Sequence, residues 1–254
     1  MSWCDKLAST PTVGFALTPH FAFGGIVDAL SPIMDRMVDR FRNPTFTVND
    51  SQNSALSFTT EDGFTYAVDP ARVTVSFQHR LRAKPVSAGL PVMDMVSKPL
   101  PYTEMLPSIS ERLIEAARLL PRVEERKILQ VGIVSTTSVS MEDLPPGINS
   151  LVEHLARPWA GSLVNFNVAI NSELGQSDNW IDRCQHTLAK VEDPNQLMTL
   201  IFDFHRQFKK PQSTAEPAMK TLLNRCTEDA LKYFEELAEG NMFDEHLISD
   251  TNKL

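Results

Sequence analysis

The chain carries nearly the same heptapeptide twice. Residues 79–85 read His79-Arg80-Leu81-Arg82-Ala83-Lys84-Pro85, and residues 205–211 read His205-Arg206-Gln207-Phe208-Lys209-Lys210-Pro211. Each is His-Arg, three variable residues and Lys-Pro, and the copies stand 126 residues apart in a chain of 254. A spacing near half the length points to two consecutive copies of one unit. The flanks agree: Val68-Asp69-Pro70 precedes the apolar run from Val73 to Phe77, and Val191-Glu192-Asp193-Pro194 precedes that from Leu197 to Phe202. Asp-Pro opens turns, because proline holds φ and the aspartate oxygen accepts from nearby backbone N–H groups. Each half therefore sends a turn into a strand with a basic tail. The competing reading is two strand-turn units that converged on common turn chemistry.

Periodicity supplies the elements. The first half opens on a short apolar stretch, Thr12 to Leu17, as a candidate strand, and then Ile26, Leu30, Ile33, Met34, Met37 and Phe41 recur at helical spacing. Phe46 and Val48 alternate with polar residues, and Glu61-Asp62-Gly63 joins two further alternating runs as a hairpin. The strand Val73–Phe77 follows, then a proline-rich connector over 85–107, then a helix with Ile109, Leu113, Ile114, Ala117 and Leu120 on one face. The second half repeats this order. A long strand covers Ile128 to Met141, and a helix holds Ile148, Leu151, Val152 and Leu155. Val164 to Asn171 alternate as a strand, residues 172–183 read as turns, and His186 to Val191 as a short strand. A strand through Phe204 and a helix with Met219, Leu222, Leu223, Cys226, Ala230, Phe234 and Leu237 on one face complete it. The expected fold is α+β: a duplicated strand-helix-strands-helix unit, 1–126 and 127–254. Together the repeats form one curved, mainly antiparallel sheet with helices on one face.

Charge narrows the partners. The net charge is −8; residues 1–126 hold 13 Lys/Arg against 14 Asp/Glu, and residues 127–254 hold 11 against 18. Nucleic acid stays a partner class through the basic tails, but an acidic chain disfavours it, since phosphate neutralisation drives such binding. No apolar run reaches 18 residues, so no membrane span is expected. Cys4, Cys184 and Cys226 are odd in number and outside any CxxC pattern, which argues against disulfides and a zinc site and for a cytoplasmic protein. No Walker loop, GxGxxG, HExxH or GxSxG occurs, and no cofactor is expected.

This element order resembles the duplicated fold of the TATA-binding protein, and more loosely the helix-grip ligand-binding folds. The lead-in Pro101-Tyr102-Thr103-Glu104, the strand Val131-Gly132-Ile133 and the terminal helix Leu222 to Phe234 resemble a sporadically distributed family of uncharacterised bacterial proteins of this length. That resemblance implies a setting in mobile-element or phage-defence gene neighbourhoods. The family continues its Val-Gly strand into an Arg-Tyr-Asn type segment, where this chain has Val134-Ser135-Thr136-Thr137.

The candidate binding residues come from the two tails: Arg80, Arg82, Lys84, Arg206, Lys209, Lys210, Asp203 and His205. Strand parity puts Arg80, Arg82 and Lys84 on one face with Ser76 and Gln78, a cluster of forked donors for an anion. The same residues on an edge strand would simply discourage aggregation. Parity places Arg206 with Phe202, Phe204 and Phe208, and His205 with Asp203, Gln207 and Lys209, so the two copies do not project the same chemistry. Asp203 could orient the His205 imidazole, as a general base requires, but no serine or cysteine partner is identifiable. Cys184 and His186 share a strand face, where a structural role outweighs a metal site. The expected function is a non-enzymatic protein-interaction or assembly component, acting through a protein partner or as a homo-oligomer. The open sheet face and the loop tryptophans would form its contact patch. Two alternatives stand beside it: a small-molecule or nucleotide binder with a pocket on the sheet face, and a nucleic-acid binder through the basic tails.

Overall fold

The computed structural model describes residues 3–5, 10–19, 35–36, 39, 45–49, 55–60, 62–79, 81–84, 92–95, 100–156, 165–190 and 197–241. The strands are β1 (Thr10–Leu17), β2 (Thr45–Asn49), β3 (Ala55–Thr59), β4 (Phe64–Val68), β5 (Arg72–Phe77), β6 (Leu81–Lys84), β7 (Val92–Met95), β8 (Lys127–Ser140), β9 (Phe166–Gln176), β10 (Trp180–Lys190) and β11 (Leu197–Ser213). The helices are α1 (Tyr102–Leu119), α2 (Pro146–Ala156) and α3 (Glu216–Glu239). Nine strands form one sheet in the order β2-β3-β4-β5-β1-β8-β11-β10-β9, and every neighbouring pair is antiparallel. The α+β class, the curved antiparallel sheet and the one-sided helical cover are as the sequence predicts.

Alternation explains the two layers. Pro11, Val13, Phe15 and Leu17 of β1 are buried, while Thr10, Thr12, Gly14 and Ala16 are not. The same two-residue period runs through β4, β5, β8 and β11. It gives one apolar face and one face of small polar residues. Helices α1 and α3 lie on the apolar face: α1 against β1 and β5, α3 against β8 and β11. Tyr102, Met105, Leu106, Ile109 and Leu113 of α1 and Met219, Leu223, Cys226, Ala230 and Phe234 of α3 complete a core with Phe15, Val75, Ile133, Phe202 and Phe204. Each such apolar side chain contributes roughly 1.5–3 kcal/mol on burial.

The central pair is β1 with β8, which joins residues 1–126 to residues 127–254 within one ladder. Its register sets Val13 opposite Ile133 and Gly14 opposite Gly132. On the outer side of each glycine stands the last sheet strand of its own half: Thr74 opposite Gly14, and His205 opposite Gly132. Any two-fold axis relating the halves through this pair makes Thr74 the counterpart of His205. The repeated heptapeptide is not in register with it. Strand β5 ends at Phe77, so His79 lies beyond the strand, whereas His205 sits inside β11.

Three further expectations change. Residues 92–95 of the proline-rich connector form β7, which pairs with β6 as a separate two-stranded sheet. The region 172–183 is mostly strand: β9 runs to Gln176, and β10 starts at Trp180 after a tight turn in which Ser177 N–H donates to the Trp180 carbonyl. Strand β11 continues past Phe204 to Ser213, with a bulge in its pairing to β8 between Gln207 and Gln212. Pro211 falls in that bulge, where a missing N–H breaks no ladder bond to β8. The helix expected over Ile26 to Phe41 lies mostly outside the described residues, although Asp35, Arg36 and Asp39 are helical.

Candidate functional site

Strand register arranges the open face as a grid four strands wide, in the order β5, β1, β8, β11. One row is Ser76, Thr12, Val134, Asp203; the next is Thr74, Gly14, Gly132, His205; the third is Arg72, Ala16, Gln130, Gln207. The middle row has two glycines at its centre, so the floor drops between Thr74 and His205. A depression of about 490 Å³ lies over it, lined by Thr12, Gly14, Arg72, Thr74, Gly132 and Asp203, with His205 and Gln130 along its side. His205 and Gln130 also border a second depression of about 430 Å³ over β10 and β9, with Asn171, Arg183, Gln185 and Gln207.

The glycines are required by close approach. A Cβ on Gly14 would meet Thr74 Cγ2 at 2.6 Å, and one on Gly132 would meet His205 Nδ1 at 3.1 Å. The imidazole therefore lies down over Gly132 toward β8. There Gln130 Nε2 is 2.6 Å from Nδ1, and Asp203 Oδ1 is 2.6 Å from Nε2. Asp203 thus stands at ion-pair distance on one side of the ring, and the Gln130 amide meets the other. Both ring nitrogens are engaged within the protein. Asp203 and His205 remain 25% and 36% exposed at their side chains, so the pair stays open to a ligand.

The other candidates are dispersed. Arg206 is on the apolar face, as parity predicts. Its Nε is 2.7 Å from Asp182 Oδ1, and its Nη2 is 2.7 Å from Asp229 Oδ2. Trp180 stacks 4.7 Å from its guanidinium carbon. These carboxylates hold Arg206 more firmly charged than an ordinary arginine, against the desolvation of its buried position. Its donors are committed to the core side of the sheet. Lys209 Nζ donates to the Ser177 carbonyl at 2.6 Å, at the β9–β10 turn. Lys210 is exposed next to the bulge and gives its carbonyl to the Gln212 side chain. Arg82 and Lys84 belong to β6, in the small separate sheet, and do not continue β5 as expected. Arg80 lies outside the described residues, as do His20, Gly24, Gly25 and Trp159.

Cys184 and His186 do meet, on the apolar face. Cys184 Sγ is 3.5 Å from His186 Nδ1, the Tyr233 hydroxyl from α3 is 2.6 Å from Nε2, and Ser172 Oγ of β9 is 3.1 Å from Nε2. Burial pushes the Cys184 thiol up to about 12, drops His186 to about 4 and raises the Tyr233 phenol well above its ordinary value. All three are neutral near pH 7, and the cluster is a satisfied polar core with no thiolate. Among the described residues, no group of three His, Cys, Asp or Glu side chains could hold a metal ion.

Parity found Asp203 and His205 and missed the rest of their setting. Gln130, Thr74 and Arg72 come from other strands, and no motif links them. The usable signal was a glycine inside each of two apolar strands, Val13-Gly14-Phe15 and Val131-Gly132-Ile133, since a glycine in a strand interior marks a close approach.

No helix among the described residues is long and apolar enough to cross a membrane. No protein-family model and no curated protein matches this sequence. Among solved structures, the chain has a slight likeness to the di-domain ARO/CYC BexL from the BE-7585A biosynthetic pathway, at 11% identity and a TM-score of 0.19, over 77% of this chain and 78% of that one. A similar likeness, at 11% identity and a TM-score of 0.20, is to the di-domain ARO/CYC StfQ from the steffimycin biosynthetic pathway, over 77% of this chain and 76% of that one. At this level of similarity neither carries fold or function across to this chain.

Proposed function

We propose that the protein is a non-enzymatic binding component that holds a small polar ligand on its open sheet face, over Gly14 and Gly132 and beside His205. The observation that carries this reading is the glycine-floored depression with the Asp203–His205–Gln130 group along one wall. A concave site with a few convergent polar groups is the usual form of a small-ligand pocket. Among the described residues no hydroxyl or thiol is hydrogen-bonded to His205, which supports binding over catalysis.

The docking of a protein partner draws less support. Binding energy at protein interfaces is concentrated in a few anchors, often aromatic, that enter the partner. Trp3 packs edge-on against Phe202, and Trp180 lies under Arg206. Among the described residues the exposed large hydrophobic is Leu197, far along β11 from the depression. In the second basic tail Arg206 and Lys209 already hold partners within the protein, which weakens the case for nucleic acid.

The test is native mass spectrometry of protein isolated under non-denaturing conditions, followed by thermal-shift screening with a library of polar metabolites. A bound small-molecule mass or a stabilising compound is expected. That signal should disappear in D203A and H205A while both variants keep the wild-type circular dichroism. Absence of any adduct and of any stabilising compound, with the protein folded, would sink the reading.

A further inference from the structure

The depression carries opposite charges at opposite corners. Arg72 ends the third row of the grid on β5, and Asp203 ends the first row on β11. Three inter-strand steps separate them across the sheet and four residues along it, so their Cα atoms lie about 19 Å apart on the diagonal. Both side chains line the depression, so one bound molecule can meet both charges. The ground between them is low, since Gly14, Ala16 and Gly132 rise little above the backbone.

The two charges differ in what they already hold. Asp203 Oδ1 has His205 Nε2 at 2.6 Å, and Gln130 meets the other side of the ring. Among the described residues Arg72 forms no ion pair, and its neighbour Asp69 meets it through backbone atoms alone. Arg72 thus offers a forked donor set for an anionic group. The Asp203 carboxylate, partly exposed in the depression, is available to an ammonium or hydroxyl donor.

Resting on the small-ligand reading above, we infer that the ligand is an elongated zwitterion, with a carboxylate on Arg72 and an amino group on Asp203. The pattern also rejects alternatives. A dianion sets its second charge against Asp203, and a dication sets one against Arg72, so specificity comes from repulsion as much as attraction. His205 and Gln130 are positioning residues here, since they orient the Asp203 carboxylate.

The experiment is isothermal titration of the full chain with ω-amino carboxylates of increasing length, and with dicarboxylates and diamines of matched length. Affinity is expected to peak at one chain length among the amino carboxylates, above that of either matched series. R72Q should weaken that compound about tenfold or more and turn the preference toward diamines, while R72K keeps most of the affinity. D203N should weaken it similarly and turn the preference toward dicarboxylates. Equal binding of all three series, or an R72Q protein with unchanged affinity, would overturn the zwitterion and leave the small-ligand reading standing. If none of the three series binds but a library compound does, the zwitterion is again overturned. If nothing binds at all, both fall together.

Discussion

His186 shows how a single buried residue couples the core to solution conditions. It sits on β10 between Tyr233 and Phe202, 5% exposed, with no carboxylate against its ring. Desolvation lowers it from 6.5 to about 4. The unfolded chain therefore binds a proton in a range where the folded chain does not, and stability falls as pH drops from about 6.5 to about 4. The loss reaches about 3 kcal/mol below that window. Urea titrations between pH 7 and pH 4 on wild type and H186Q should show this, with the slope largely absent in the variant. An unchanged slope would mean that other groups govern acid unfolding. Arg206 answers the opposite problem. A buried cation is retained because Asp182 and Asp229 neutralise it, and it spans β11, β10 and α3 in doing so.

The elements are held by the faces they bury and by contacts between their ends. Helix α3 ends at Gly240, whose φ of 85° is a left-handed cap, and its N–H bonds the Glu236 and Leu237 carbonyls. The start of α2 abuts that terminus. A Cβ on Gly147 would lie 2.2 Å from the Leu237 carbonyl oxygen and 2.5 Å from Gly240 N. Neither backbone atom can turn aside as a side chain can. G147A should therefore cost about 1–3 kcal/mol, read as a fall in Tm, as α2 and α3 move apart. G175A in β9 has nothing within 4 Å of its added methyl and should change stability by less than about 0.5 kcal/mol. Equal effects at the two positions would show that α2 does not press on α3 as described.

At the scale of the whole molecule, the ladder from β1 to β8 makes one sheet of both halves. Its eight partnered positions run from Thr10 opposite Thr136 to Leu17 opposite Ile128. Helices α1 and α3 also touch across the boundary. Separating the halves would expose β1 and β8 as long unpaired edges, and such edges aggregate. Residues 1–126 and residues 127–254 expressed separately should each be poorly soluble or unfolded, and unfolding of the intact chain in urea should be a single transition. Two resolved transitions, or a soluble folded half, would show that the ladder couples the halves weakly.

Much of this architecture was legible because it is set by local period. Helices α1 and α3 showed their buried stripes, and β4 and β5 showed their alternation, since a two-residue or 3.6-residue repeat needs no partner to be seen. Parity along β11 alone separated Arg206 from His205 and Asp203. Length was harder. Strand β10 contains Asp182 and Arg183, which read as turn residues in isolation, yet pairing with β9 and β11 on both sides holds them extended. Register was not legible at all. The repeated His-Arg-x-x-x-Lys-Pro segment looked like a structural equivalence, but hydrogen bonding between strands places Thr74 where the repeat would place His79. The sequence by itself determined the faces of the sheet and the side on which the helices pack, because alternation of apolar side chains decides burial strand by strand. Only the tertiary structure decided that Arg72, Gly14, Gly132, Gln130 and His205 share one surface, because that depends on which strands lie side by side and how far each is slid along its neighbour.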